Sequence, residues 1–401
     1  MTSLVLYDDA RSRAFEPFAL TRPASELRAG ALLIRERWER ALDASTSLFA
    51  AAEHLRDFDE PGATSVAADA TLEAGTVIAL SRFAPALTTT PDAQRADVLA
   101  SDGVIVAVRL PESLPAAALA DGSLPLDSLV RKGAAVADIS GWLLDAVWDV
   151  VRHLPTMLHA DLDVLAPAID SEPPADAIVL GTHAVAIERG ARVEPLVVLD
   201  ATAGPIIVRR GATVAAFTRL VGPCFIGPDT SVGGGRLATV SIGERCRAHG
   251  EMNTAILIGH ANKVHEGFVG HSCLGRWSNL GAGTITSNLK NTYGPVSLWT
   301  PDGPRITGMQ FLGSMIGDHA KTAIGSRLTT GSVIGAGANV FCAGMAPKVI
   351  PPFAWGPEGD ACYDLERFLA VAERVMARRD VALSDACRRQ LSAAFAMKWT
   401  V

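Results

Sequence analysis

The sequence predicts two domains of different construction, an α/β domain followed by a coil of stacked short strands. Apolar residues recur every six positions over much of the stretch from 208 to 340. Strands alternate with an amphipathic helix over the first 165 residues, the pattern of an α/β sheet. The 401 residues are 49% hydrophobic and 20% charged, which excludes a disordered or fibrous chain and fills two or three domains at about 100–200 residues each. The boundaries expected are 1–165 for the first domain, 166–177 for a linker, 178–350 for the coil and 351–401 for a helical cap.

In the first domain VLYDD (5–9) reads as a strand running into acidic residues, ELRAGALLIRERWERAL (26–42) as a helix, and TVIALS (76–81) and GVIVAVRL (103–110) as buried strands. GWLLDAVWDVVRHLPTMLHADLD (141–163) reads as a connecting helix before the Pro-containing linker. Three runs then carry the period of six: Val208, Val214, Leu220, Ile226, Val232 and Ala238; Phe268, Leu274, Leu280 and Thr286; Ile316, Thr322, Leu328, Ile334 and Val340. Six matches neither a helix nor a sandwich strand. It matches a coil with three flat faces, each hexad giving one strand and one turn with its aliphatic residue inward. Between 287 and 312 the repeat breaks in a stretch of Pro, Gly, Asn and Asp, read as an ejected loop of the kind that carries binding residues. Beyond 350, residues 363–379 and 384–397 have helical spacing, with Ser384 as N-cap.

The charge balance is 36 Lys+Arg against 43 Asp+Glu, a net −7 without a basic run. That leaves no electrostatic footprint for nucleic acid or an anionic membrane. No stretch of about 18 apolar residues appears, and the first residues meet acids by position 8, so neither a membrane span nor a signal peptide is expected. Six single cysteines without a CxxC pair fit a reducing cytoplasm. His260, His265, His271 and Cys273 do not read as a metal set, because His265 and His271 sit one hexad apart, on adjacent faces.

The segment from Asn262 to Gly294, with His265, Phe268, Val269 and Gly270 followed by Asn279 through Asn288, resembles the acetyltransferase domain of the GlmU-type family of bifunctional uridylyltransferase/acetyltransferases. FALTRPASELRAGALLIRERWE resembles the short, divergent nucleotidyltransferase domain fused to it in one subgroup. The resemblance implies an α/β nucleotidyltransferase-like domain, a left-handed parallel β-helix of hexapeptide repeats and a homotrimer. It implies acetyl-CoA as acyl donor, an amino-sugar phosphate such as glucosamine 1-phosphate as acceptor, and UTP with Mg²⁺ at the first domain.

Acyl transfer to an amine needs a base, donors for the developing oxyanion, and groups that hold two polyanionic substrates together. His265 is the base by its intrinsic pKa and by its place in the motif. The resemblance further places Arg236 on the phosphate, Asn279 and Asn288 on the sugar or base, and acetyl-CoA past Gly281, Ala282, Ser326, Cys342 and Ala343, with Lys348 at its phosphates. The chain departs from the family at Asn253, where a lysine is expected, at Leu289 and Phe268, where tyrosines are, and offers Lys290 as a nearby substitute. In the first domain the Gly-rich phosphate loop and the metal-binding G-D-x-P are missing. Arg13 and Arg22 stand as candidates to hold a triphosphate, and Asp8 and Asp9, at the carboxyl end of the first strand, to hold Mg²⁺. Capping of the following turn is the competing role for both acids. Three functions stay open: a bifunctional enzyme, an acyltransferase with an inert first domain, and a non-catalytic assembly protein.

Overall fold

The computed structural model describes residues 3–66, 70–88, 91–171, 176–342, 344–356 and 361–400. Two compact units divide the chain, one of 1–149 with 384–397 and one of 150–383 with 398–401.

The first unit is built on a mixed six-stranded sheet. Its strands are β1 (Ser3–Tyr7), β2 (Ser45–Ala50), β3 (Val77–Leu80), β4 (Val98–Ser101), β5 (Val104–Arg109) and β6 (Val136–Asp138). The order is β6-β4-β5-β3-β1-β2, with β5 antiparallel to both neighbours and the remaining pairings parallel. Central β1 and β3 are buried along almost their whole length, as continuous apolar runs require. The helix expected over 26–42 forms only as α1 (Ile34–Leu42). Before it, Arg28–Ala29 and Leu32–Leu33 make a hairpin whose turn contains Gly30 at φ +64, a conformation glycine adopts without steric cost. Likewise the connecting helix begins late. Gly141–Leu143 pairs antiparallel with Phe83–Pro85, and only α2 (Leu154–Leu165) is a full helix.

The second unit is a parallel β-solenoid with three faces. On one face Val185–Ile187, Ile206–Val208 and Cys224–Ile226 pair in successive turns, and the ladder continues through Ser241, Ile256, Cys273, Met315 and Val333 to Val349–Ile350. Apolar side chains from each turn stack on one axis, among them Val208, Val214, Leu220, Ile226, Val232, Leu274, Ile316 and Val340. In the second run the inward place falls to Val269; Phe268 is half-buried on the outside. One corner repeats a left-handed backbone in every turn from Gly211 through Asp229, Arg245, His260, Trp277 and His319 to Gly337, with φ between +53 and +71. Five of these seven residues are not glycine, so the fold holds a conformation that costs about 1–2 kcal/mol per residue. The segment 287–312 leaves the solenoid as expected. It is closed at its base by a Leu289–Phe311 bridge and contains the hairpin Ser297–Thr300/Gly303–Ile306.

The two terminal helices divide between the units. Helix α3 (Leu365–Ala377), capped by Asp364, packs Phe368 on Phe353 of the solenoid. Helix α4 (Asp385–Ala396), capped by Ser384 as expected, belongs to the first unit. There Arg389 pairs with Asp57 at 2.7 Å and Gln390 donates to Thr21 O at 3.1 Å. The division after 149 places α2 with the solenoid, where it packs on Cys224–Ile226 and Ser231–Ile242. Residues 172–175 of the expected linker and 357–360 of the expected cap lie outside the described residues. No helix among the described residues is long and apolar enough to cross a membrane, and all six cysteines are free thiols.

Candidate functional site

Parallel register brings several of the expected residues onto one solenoid face. Arg219, Arg236, Glu251 and Phe268 stack in one column, and Ala238, Asn253 and Gly270 in the next. Alternation turns Met252 and Val269 inward and leaves these columns outside. Arg236 is exposed and Asn253 half-buried. Gly270 is required here: a Cβ would stand 2.4 Å from Phe268 Cζ and 2.6 Å from Asn288 Nδ2. Asn288 reaches this point because the ejected loop departs beside it, and its Nδ2 donates to His271 Nδ1 at 2.9 Å. An amide nitrogen only donates, so the His271 ring carries its own proton on Nε2. Burial pushes its pKa down to about 4, and Phe311 stacks on it at 5.4 Å. His271 is therefore a neutral donor at physiological pH.

His265 occupies the bend that leads into this face. It is exposed, and its ring has no hydrogen-bond partner among the described residues. Lys263 Nζ donates to the His265 carbonyl, and burial lowers that ammonium to about 8. His249, one turn earlier, meets Glu266 at 2.6 Å. Alongside the bend, Gly281 N–H is taken by Thr322, both O and Oγ1 lying at 3.1 Å. Ala282 N–H has no partner among the described residues, which leaves it able to receive an oxyanion. Lys290 Nζ donates to Pro295 O at 2.9 Å, and its charge, after burial, helps lower the pKa of Lys348. Two lysines expected at different substrates thus lie within electrostatic reach of each other.

Other expected residues are placed apart. Asn279 lies on another face, its Oδ1 accepting from Asn262 Nδ2 at 2.6 Å, and lines a cavity of about 210 Å³. Ser326 is fully buried and its hydroxyl donates to Ala323 O at 2.9 Å, so its side chain supports a corner and does not face a ligand. Cys342 Sγ lies 3.6 Å from Gly344 O. Ala343 lies outside the described residues.

In the first unit the expected nucleotide and metal groups are engaged within the fold. Arg13 donates to the carbonyls of Asp8, Ala120 and Leu119, a tether between the end of β1 and the 119–122 turn. Arg22 is buried and forms a bidentate pair with Glu60, at 3.2 and 2.8 Å. Asp9 accepts from Ser12 N and Oγ through Oδ1 and from Arg82 Nε through Oδ2, which is the turn-capping role. Asp8 is 3% exposed, its Oδ2 accepts from Ala24 N at 3.2 Å, and burial raises its pKa to about 6. Neither acid offers the open, hydrated oxygen edge that Mg²⁺ takes, so the residues present do not fit that ion. The sole described grouping of three metal-ligating side chains is elsewhere, at His159, Asp163 and His183.

Sequence reasoning missed His271, Arg82 and Asp145. Hexad spacing sets His271 aside, although its place three residues before inward Leu274 marks it as a corner, where its φ is +48. Arg82 bridges Asp9 at 2.7 Å and Asp145 at 3.1 Å; only the sheet brings these three together.

A profile of the sugar nucleotidyl transferase family matches residues 4–168. Over 92 residues the chain is 33% identical to the bifunctional protein GlmU of Methanococcus vannielii, covering 21% of this chain and 22% of that protein. Over 174 residues it is 30% identical to the bifunctional protein GlmU of Bartonella quintana, covering 41% of this chain and 33% of that protein. The matches thus span a fifth to a third of these relatives' length. A mixed-sheet nucleotidyltransferase-like domain joined to a parallel β-solenoid defines the class. Within it, the first domain matches the sugar nucleotidyl transferase family, and the chain is similar over part of its length to bifunctional GlmU proteins.

Proposed function

We propose that the chain is a transferase of sugar-nucleotide biosynthesis that N-acetylates an amino-sugar 1-phosphate, glucosamine 1-phosphate being the first candidate, from acetyl-CoA. The observation that carries this is the grouping of Asn253, Phe268, Asn288 and His271 on one solenoid face beneath the ejected loop. Arg236 on the same face meets the phosphate. Asn253 and Asn288 orient the sugar, with neutral His271 holding the Asn288 amide. His265 takes a proton from the amine as its nitrogen attacks the thioester carbon. Ala282 N–H receives the oxyanion, the C–S bond breaks, and the CoA thiolate leaves. Lys290 and Lys348 meet phosphates of the two substrates. We further propose a cytoplasmic location and a homotrimer, the latter because His265 has no orienting partner among the described residues of one chain.

The sugar nucleotidyl transferase profile supports uridylyl transfer from UTP as a second activity. The engagement of Asp9, Arg13 and Arg22 supports the other reading, in which the first domain lacks that activity. Because Asp8 and Asp9 do not fit Mg²⁺, no step is assigned to the ion. A discontinuous assay offering acetyl-CoA, glucosamine 1-phosphate and UTP in turn, with products resolved by mass spectrometry, tests these readings. An acetylated sugar phosphate is expected, and its absence with every combination would leave a non-catalytic assembly protein. Sedimentation of a fully active monomer would overturn the trimer.

A further inference from the structure

The cavity of about 210 Å³ beside Asn279 lies within the second unit, against the end of helix α3. One wall is the solenoid, where Asn262, Asn279 and Lys321 stand in register in successive turns. The other is the helix end, with Arg378 at its C-cap and Arg379 beyond. Three cations therefore face one small space, and no carboxylate is among its lining residues.

The polar groups are ordered. Arg379 Nη2 donates to Asn262 Oδ1 at 3.3 Å, and Asn262 Nδ2 donates to Asn279 Oδ1 at 2.6 Å. That chain fixes the Asn279 amide with Nδ2 left over as a donor. Lys321 Nζ donates to His319 O at 2.9 Å, which leaves further ammonium protons for a ligand. Trp277 contributes an aromatic wall, held against His260 at 4.1 Å between ring centres.

Basic residues at a helix C-terminus are ordinarily explained by the helix dipole. That accounts for Arg378 and Arg379. It does not account for Lys321, which comes from a solenoid strand and is pushed down to about 8 by burial. Arg379 is lowered by burial and then by the charges of Arg247 and Arg378. Like charges gathered around one small, partly buried space repel one another unless an anion joins them.

We propose that this cavity binds a dianionic phosphate group, held by Lys321, Arg378 and Arg379, with Asn279 and Trp277 receiving whatever small polar ring the phosphate carries. The inference does not rest on acetyl transfer, because it concerns binding alone. Three sources share this chemistry: inorganic phosphate, a sugar phosphate and the ribose phosphate of coenzyme A.

The test is titration calorimetry of the full chain with inorganic phosphate, glucosamine 1-phosphate and coenzyme A separately, on wild type, Lys321→Gln and Arg378→Gln. At least one anion should bind at one site per chain, and each substitution should weaken it about 10–100-fold, the loss of one charged hydrogen bond. The tightest of the three identifies the source. Arg378 is exposed at a helix end, so its variant reports even if Lys321→Gln does not fold. No binding of any anion at millimolar concentration, or unchanged affinity in the variants, would overturn the proposal. Binding lost in His265→Ala but kept in both cavity variants would overturn it as well.

Discussion

Replacing Asp8 by asparagine separates a buried acid from a metal ligand. Asp8 sits just past the end of β1, 3% exposed, with Oδ2 accepting from Ala24 N. Burial is the largest influence on it and raises its pKa to about 6 from an ordinary value of 3.8. The folded state thus binds the proton more tightly than the unfolded chain. Its contribution to stability is fully present below about pH 4 and is lost as pH rises through about 6. Two pKa units correspond to about 3 kcal/mol, at about 1.4 kcal/mol per unit. Asp8→Asn keeps an oxygen for Ala24 N and removes the charge. The variant should match wild type near pH 4 and exceed it by about 3 kcal/mol near pH 7. Hydrogen exchange of the β1 amides under increasing urea reads this unit without interference from the solenoid. Equal stability differences at both pH values would refute the reasoning. So would an Mg²⁺-dependent gain in wild type that disappears in the variant, since that would make Asp8 a ligand.

Two further substitutions test the assignments. His265→Ala should lower acetyl transfer by ~10²–10⁴-fold with the fold intact; a kcat close to wild type would remove His265 from the mechanism. Arg22→Ala should lower stability by ~3–5 kcal/mol, because Glu60 loses its bidentate partner in a largely buried setting. UTP binding, read by calorimetry, should be unchanged, and a selective loss of nucleotide affinity in a stable variant would restore Arg22 to the nucleotide site.

What the sequence showed and what it hid follow from the range of the interactions involved. The six-residue period is local, so Val208 through Val232 could be placed on the inner axis by spacing alone, and the packed core agrees. Phe268 was misplaced because the turns differ in length: seventeen residues separate Asn262 from Asn279, and forty-two separate Asn279 from Lys321. A fixed count loses register wherever a corner gains a residue or a loop is ejected. The motif residues fared according to the same rule. Asn253, Phe268 and Asn288 meet because register and a departing loop converge at Gly270, whereas Asn279, nine residues before Asn288, faces elsewhere. In the first domain the arginines were read as free charge because their partners are remote in sequence. Arg13 meets carbonyls more than a hundred positions away, and Arg22 meets Glu60 across the fold. A charged side chain in an isolated sequence always looks available. The fold decides which ones are: Arg22 is closed off by a carboxylate, while Lys321 is brought to Arg378 and Arg379 in a cavity no carboxylate lines. The contrast between a cation closed off by a carboxylate and one gathered with other cations, invisible in composition and spacing, is what moves the strongest anion-binding expectation from the first domain to the solenoid.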